Sequence, residues 1–312
     1  MSGTNRRRGL SPVENMLIAG TSGIAGKVAD APFERVKLLL QSQREIINAG
    51  RMTDPYKGIR DCIARTYRTE GFLSFWRGNL IACIGVLPQQ ALTFGLQQKF
   101  KQFQSVSRSD SIYTKIAKSI ATGGAAACAS LVIMHPLGYC RTRLANDVIF
   151  TDSKGEKQRQ FKGIIDVYRK TWASDGIVGM YRGFFVSCFG IFVYRSFYFG
   201  FYDTLRGGLV NSQSMSLQMI TSFAVGVAST LLAGLVAYPF DTIRVRMQMR
   251  SIEPTKYKSS LQCGFQILKN EGFRPLMNGA MVVILKGLCG GAMLVFFDVF
   301  RSQYTQWRKD DK

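Results

Sequence analysis

The sequence predicts an all-α membrane protein. Six spanning helices form three tandem repeats of about a hundred residues, with a short amphipathic helix inside each repeat. Three observations carry this. First, a proline followed by charge recurs. "APFERVKLLLQ" has Pro32, Glu34 and Lys37, and "YPFDTIRVRMQM" has Pro239, Asp241 and Arg244. "HPLGYCRTRL" has Pro136 with bases at Arg141 and Arg143. Second, another signature follows each proline at similar spacing: "EGFLSFWRG", "DGIVGMYRG" and "EGFRPLMNG", the last with Met277 and Asn278 in place of an aromatic residue and an arginine. Two patterns repeated three times in one order establish an internal repeat, and a repeat decides the architecture. Third, the apolar runs are long. Leu217 to Phe240 carries no charge, Ser119 to Leu137 has His135 as its only group that charges near neutral pH, and Met281 to Phe297 is interrupted only by Lys286. About 20 such residues cross a ~30 Å hydrocarbon layer.

In chain order, the spans are predicted at 12–42, 79–104, 113–146, 183–208, 215–249 and 279–305. The repeats then run 12–104, 113–208 and 215–305 within one transmembrane unit, 1–312, because no Pro/Gly/Ser-rich linker separates them. Between the spans of each pair lie "YKGIRDCIARTYRTEG", "FKGIIDVYRKTWASDG" and "YKSSLQCGFQILKNEG". In the first, Ile59, Cys62, Ile63 and Tyr67 keep helical spacing with bases on the other face. That pattern suits a helix lying on a membrane surface.

Lys plus Arg number 41 against 20 acids, a net charge of +21. A soluble nucleic-acid-binding protein would have such a balance, but the apolar runs exclude it, and nucleic acid is not an expected partner. The seven cysteines have no metal-ligand spacing. Several fall inside spans (Cys83, Cys128, Cys188, Cys289) and are read as small packing residues. No metal site, cofactor or nucleophile–base pair is predicted, so the chain is not read as an enzyme. "MSGTNRRRGL" is charged but precedes no apolar leader, so no cleavable signal is expected.

An ionisable residue inside a span is costly and faces a bundle interior or a water-filled cavity. Lys27, Asp30, Glu34 and Lys37 fall at i, i+3, i+7 and i+10, on one face of the first span. Arg195 lies in the fourth span and Lys286 in the sixth. Small residues at Gly20, Gly23 and Gly26, and at Gly123, Gly124 and Ala125 to Ala127, let neighbouring helices approach closely. His135, before Pro136, is read as structural.

The two signatures together resemble the mitochondrial carrier family over the whole chain. Within it the resemblance is closest to the ADP/ATP carriers, through "APFERVKLLLQ", "RTRLANDV", "SFWRGNL", "QALTFG", "YRSFYFGFYDTLRGGL" and "YPFDTIRVRM". "RVRMQM" departs from the RRRMMM hallmark of those carriers at Val245 and Gln248. The resemblance implies six tilted helices around a pseudo-threefold axis in the mitochondrial inner membrane. Both termini would face the intermembrane space, and the short amphipathic helices the matrix. It implies alternating-access exchange of adenine nucleotides, an ADP/ATP-like antiport of small anionic solutes, by a monomer. Lipid contacts are implied too, with cardiolipin near Trp76–Gly78 and Tyr181–Gly183.

By the same resemblance, the matrix gate pairs Glu34 with Arg141 and Asp241 with Lys37. Arg244 lacks an acid because Gly138 stands at that position, and Gln41 and Gln248 brace the pairs. The cytoplasmic gate pairs Asp203 with Arg301 and Asp298 with Lys101, while Gln98 leaves Arg206 without its acid. The implied substrate residues are Lys27, Gly190, Ile191, Tyr194, Arg195, Tyr198 and Lys286. Cavity arginines of the ADP/ATP carriers are replaced at Gly85, Val245 and Lys286, and Asp30 is an added acid on the cavity face, one turn from Lys27, with which it could pair. Two alternatives therefore stay open. One is a carrier of another nucleotide, phosphorylated cofactor or anion, or a proton-leak carrier. The other is a non-transporting protein on the same scaffold.

Overall fold

The computed structural model describes residues 12–103, 111–151, 155–209, 215–253 and 257–287. Pro12 opens α1 (Pro12–Asn48), where its missing N–H has no intrahelical partner to lose. Next come α2 (Ile59–Glu70), a 3₁₀ turn (Phe72–Trp76) and α3 (Asn79–Phe103). The second repeat holds α4 (Ile112–Ala145), α5 (Ile164–Met180) and α6 (Phe184–Leu209), with a two-residue antiparallel ribbon pairing Phe150 with Gln158 before α5. The third holds α7 (Met215–Met249), α8 (Ser260–Asn270), a 3₁₀ turn (Arg274–Met277) and α9, described over 280–287.

The long helices form a ring. α1 packs on α3 and α7, α4 on α3 and α6, and α6 on α7. Gly20 and Gly23 permit the first contact, since a Cβ there would lie 2.7 Å from Leu87 and 2.8 Å from Val86. Gly124 meets the Phe192 ring at the α4–α6 contact. α9 closes the ring: Gly287 meets Leu231 of α7, and Lys286 reaches Asp30 of α1 at 3.4 Å.

The two recurrent signatures turn out to be one device. Pro32, Pro136 and Pro239 each sit inside a continuous helix, where proline cannot donate to the carbonyl four residues back. The orphaned carbonyl of Val28 accepts from Trp76 Nε1 at 2.9 Å, and that of Val132 from the Tyr181 hydroxyl at 2.8 Å. The aromatic residue of the second signature thus satisfies the carbonyl that the first exposes. In the third repeat Met277 has no donor to offer. The residue before proline supplies other ties. Tyr238 donates to the Asn278 carbonyl at 2.7 Å, and His135 Nδ1 donates to the Met180 carbonyl at 2.9 Å.

The closing glycine of each second signature locks adjacent repeats together. Gly78, Gly183 and Gly279 adopt φ of 80°, 83° and 86°, a region that side chains avoid. A Cβ at Gly78 would stand 3.1 Å from the Arg141 carbonyl, at Gly183 3.2 Å from that of Arg244, and at Gly279 3.2 Å from that of Lys37. Repeat one therefore meets two, two meets three, and three meets one. That cycle is the pseudo-threefold symmetry expressed as contacts.

Three apolar clusters repeat around the ring, each packing a short helix under its long partner. Cys62 and Phe75 lie in one, Val167 and Tyr139 in the next, Cys263 and Leu276 in the third. Burial pushes the Cys62 and Cys263 thiols up to about 12, as a low-dielectric site disfavours thiolate. The short helices also expose apolar residues outward: Ile63 and Tyr67, Ile165 and Trp172, Leu261 and Phe265. They thus have two apolar aspects, one in the core and one suited to a membrane surface.

Among the described residues, four stretches are long and apolar enough to span a membrane: Phe72–Phe100, Ala117–Ala145, Phe184–Gly207 and Thr221–Met249. α1 falls short of that apolarity because of Lys27, Asp30, Glu34, Arg35 and Lys37. Arg35 bonds Glu70 at 2.6 Å, and the other acids and Lys37 enter the network described next. Apart from Lys27, these charges thus find partners inside the bundle.

Candidate functional site

α1, α4, α7 and α9 bring seven charged side chains together at the end of the bundle that carries the short helices. Lys37 lies 3.0 Å from Asp241, and Arg141 lies 3.4 Å from Glu34. The periodicity of α1 makes this possible, since Glu34 and Lys37 are one turn apart and themselves approach to 4.0 Å. Gln41, a further turn on, donates to Asp241 at 3.2 Å and to Thr242 at 3.2 Å. These bonds tie α1 to α4 and α7 across the axis. Beneath them Leu38, Ala145 and Val245 form a small buried apolar plug.

Among the described residues Arg244 has no such cross-helix acid. It pairs within its own helix with Asp241 at 2.8 Å, and its Nε is buried without a partner. Gly138 is the reason: a Cβ there would meet no atom within 4 Å, so the space for a side chain is open. Gln248 is buried, and among the described residues its Oε1 accepts no hydrogen bond.

Two sequence expectations are corrected here. Asp30 does not pair with Lys27. It turns to Lys286 on α9, which also donates to Glu34. Among the described residues Lys27 forms no ion pair, which leaves it free to meet an anion. Val245 does not line a cavity either, because it is fully buried in the apolar plug. Gly85 faces Met134 across the α3–α4 contact, 3.5 Å from where its Cβ would be.

Higher on α6, Gly190, Ile191 and Tyr194 line a cavity of about 240 Å³ with Phe240, Asp241 and Arg244 of α7. At Gly190 an added Cβ would stand 3.3 Å from the Phe240 Cβ, so a side chain there would press on α7. Tyr194, Tyr198 and Tyr202 recur every fourth residue, so they stack as a ladder. Centroids are 6.2 Å and 6.0 Å apart with planes tilted 18° and 20°. Arg206 caps the ladder, 5.8 Å over the Tyr202 ring. Arg195 is half-buried against α4, where Gly123 makes room: a Cβ would lie 2.6 Å from its Nη1. This arrangement combines aromatic faces, free or loosely held cations and a closed floor, and it can hold a flat, anionic solute.

At the other end of the bundle, Asp203 and Arg206 are exposed on α6. Asp298 and Arg301 lie outside the described residues, as does the side chain of Lys101. Sequence reasoning missed the partner of Asp30. The signal was present, since Lys286 is the lone charge in its span, but it does not name a partner.

The family described as "Mitochondrial carrier protein" matches residues 8–107, 113–213 and 216–306. A relative from Oryza sativa subsp. japonica, "ADP,ATP carrier protein, mitochondrial", is 48% identical over 285 residues, covering 91% of this chain and 74% of its own. "ADP,ATP carrier protein 1, mitochondrial" of Triticum aestivum is 48% identical over 285 residues, covering 91% and 85%. "ADP,ATP carrier protein" of Chlamydomonas reinhardtii is 46% identical over 284 residues, covering 91% and 92%.

Proposed function

Because the chain belongs to the mitochondrial carrier family, we propose that it exchanges adenine nucleotides by alternating access. It is a multi-pass transporter of the mitochondrial inner membrane and not an enzyme. One observation carries the finer reading. The tyrosine ladder and the Gly190–Ile191–Tyr194 cavity stand directly above a floor closed by the Lys37–Asp241 and Glu34–Arg141 pairs. A purine stacks on an aromatic face, and its phosphates meet Lys27, Arg195 and Lys286. The floor pairs must break for release to the matrix, and the mirror-image pairs of the cytoplasmic gate form as they do. The gate roles of Gln248, Lys101, Asp203, Arg206, Asp298 and Arg301 belong to this reading, as do cardiolipin at Trp76–Gly78 and Tyr181–Gly183 and action as a monomer.

The relatives' names, ADP,ATP carriers at 46–48% identity, support the nucleotide assignment. With Val245 in the plug, two cavity changes remain, Gly85 and Lys286. The test is a thermal-shift screen of the purified protein against nucleotides, phosphorylated cofactors, carboxylates and amino acids. ADP and ATP are expected to raise the melting temperature most, since a ligand that binds only the folded state stabilises it. A larger shift from a carboxylate or amino acid overturns the assignment.

A further inference from the structure

We propose that Asp30 is a specificity-determining residue. It acts as an internal counter-anion that holds Lys286 in the empty carrier and yields it only to a multiply charged phosphate. The proposal deepens the nucleotide reading and rests on it for the identity of the cargo, though not for the phosphate chemistry.

The charges form one continuous chain of contacts. Arg244 meets Asp241, Asp241 meets Lys37, Lys37 meets Glu34, Glu34 meets Arg141 and Lys286, and Lys286 meets Asp30. Four cations are balanced by three acids. Glu34 is shared among Lys286, Arg141 and Lys37, so it cannot neutralise Lys286 alone. Asp30, 3.4 Å away and 23% exposed, supplies the missing charge. It touches no other described cation within ion-pair distance.

A solute anion that engages Lys286 competes for its charge with this carboxylate, which is tethered beside it on α1. A single negative charge only replaces what Asp30 gave up. Adjacent phosphates bring two or more charges, and the difference is the net gain. Lys286 is also suited to such an exchange. A lysine ammonium is a mobile point charge, whereas an arginine fork would bind a carboxylate bidentately and release it less readily.

The experiment measures binding of inorganic pyrophosphate and, separately, of ADP to the purified full chain by thermal shift and by isothermal calorimetry. Asp30→Asn is expected to tighten both by roughly two- to fivefold, the worth of one partly exposed pair. Asp30→Glu should bind like the wild type. In a Lys286→Gln background, Asp30→Asn should change nothing, because the competition needs both partners. Asp30→Ser is the second variant, with the same expectation, and the ligand-free melting curve reports whether each variant is folded. Tighter pyrophosphate binding without any ADP binding would support the role of Asp30 while overturning the nucleotide reading. Weaker or unchanged pyrophosphate binding in Asp30→Asn, an equal effect in the Lys286→Gln background, or no pyrophosphate binding by any variant would overturn the proposal.

Discussion

Trp76 and Tyr181 each donate to a carbonyl that proline leaves without its helical partner, and Met277 has nothing to donate at the matching position of the third repeat. Tyr181→Phe is the cleanest perturbation. It keeps the ring that stacks on His135 at 5.6 Å and removes only the hydroxyl bonded to Val132. Val132 is 47% exposed, on the outside of the bundle, where lipid and not water would cover it. An unsatisfied carbonyl costs about 1–3 kcal/mol, toward the upper end where no water can replace the donor. For a chain of this size that lowers the melting temperature by roughly 2 °C or more. Trp76→Phe should cost at least as much, since it also alters a ring contact with Phe72. Met277→Tyr should raise stability by about 0.5–1.5 kcal/mol by supplying the absent bond, and Met277→Phe should not. The assay is thermal unfolding followed by a thiol-reactive fluorophore, which reports exposure of the buried Cys62, Cys140 and Cys263. If Tyr181→Phe melts with the wild type, or if Met277→Phe stabilises as much as Met277→Tyr, the donor plays no such role.

Gly138→Asp should give Arg244 the cross-helix acid it lacks, because the side-chain space is open. At ~1 kcal/mol the ratio of floor-closed to floor-open states rises about fivefold, read as cysteine accessibility from the two sides of reconstituted vesicles. Cys62 and Cys263, fully buried and with thiols pushed up to about 12 by that burial, should alkylate at pH 8 far more slowly in the native protein than after unfolding, since the reagent must reach them and thiolate is the nucleophile. Gly279→Ala should lower the melting temperature more than Gly272→Ala. Both glycines have positive φ, but only the Gly279 Cβ would also crowd the Lys37 carbonyl at 3.2 Å.

Much of the fold was legible because its signals are periodic. Three prolines, three acid–glycine signatures and the long apolar runs locate the long helices, and the charge spacing of α1 puts Glu34 and Lys37 on one face. The reason why the two signatures travel together was not legible. It lies in hydrogen bonds between residues 48 and 49 positions apart, Trp76 with Val28 and Tyr181 with Val132. Asp30 shows the same limit. Its helical neighbour Lys27 is visible in sequence, but its actual partner Lys286 comes from the far end of the chain and needs the ring to close. Val245 shows the converse, for a residue that replaces an arginine reads as a lost cavity charge until its burial beside Leu38 and Ala145 is seen.

The most direct test of the nucleotide reading is counter-exchange in vesicles reconstituted with the purified chain and loaded with ADP, ATP, other nucleotides, a carboxylate or an amino acid. External labelled ADP should enter only vesicles loaded with adenine nucleotide. Lys27→Ala and Arg195→Ala should abolish that uptake, and Lys27→Ala should insert and melt like the wild type, because it removes a cavity charge and not core packing. Exchange of the carboxylate or amino acid with no exchange of any nucleotide, or full ADP exchange by Lys27→Ala, would contradict the account.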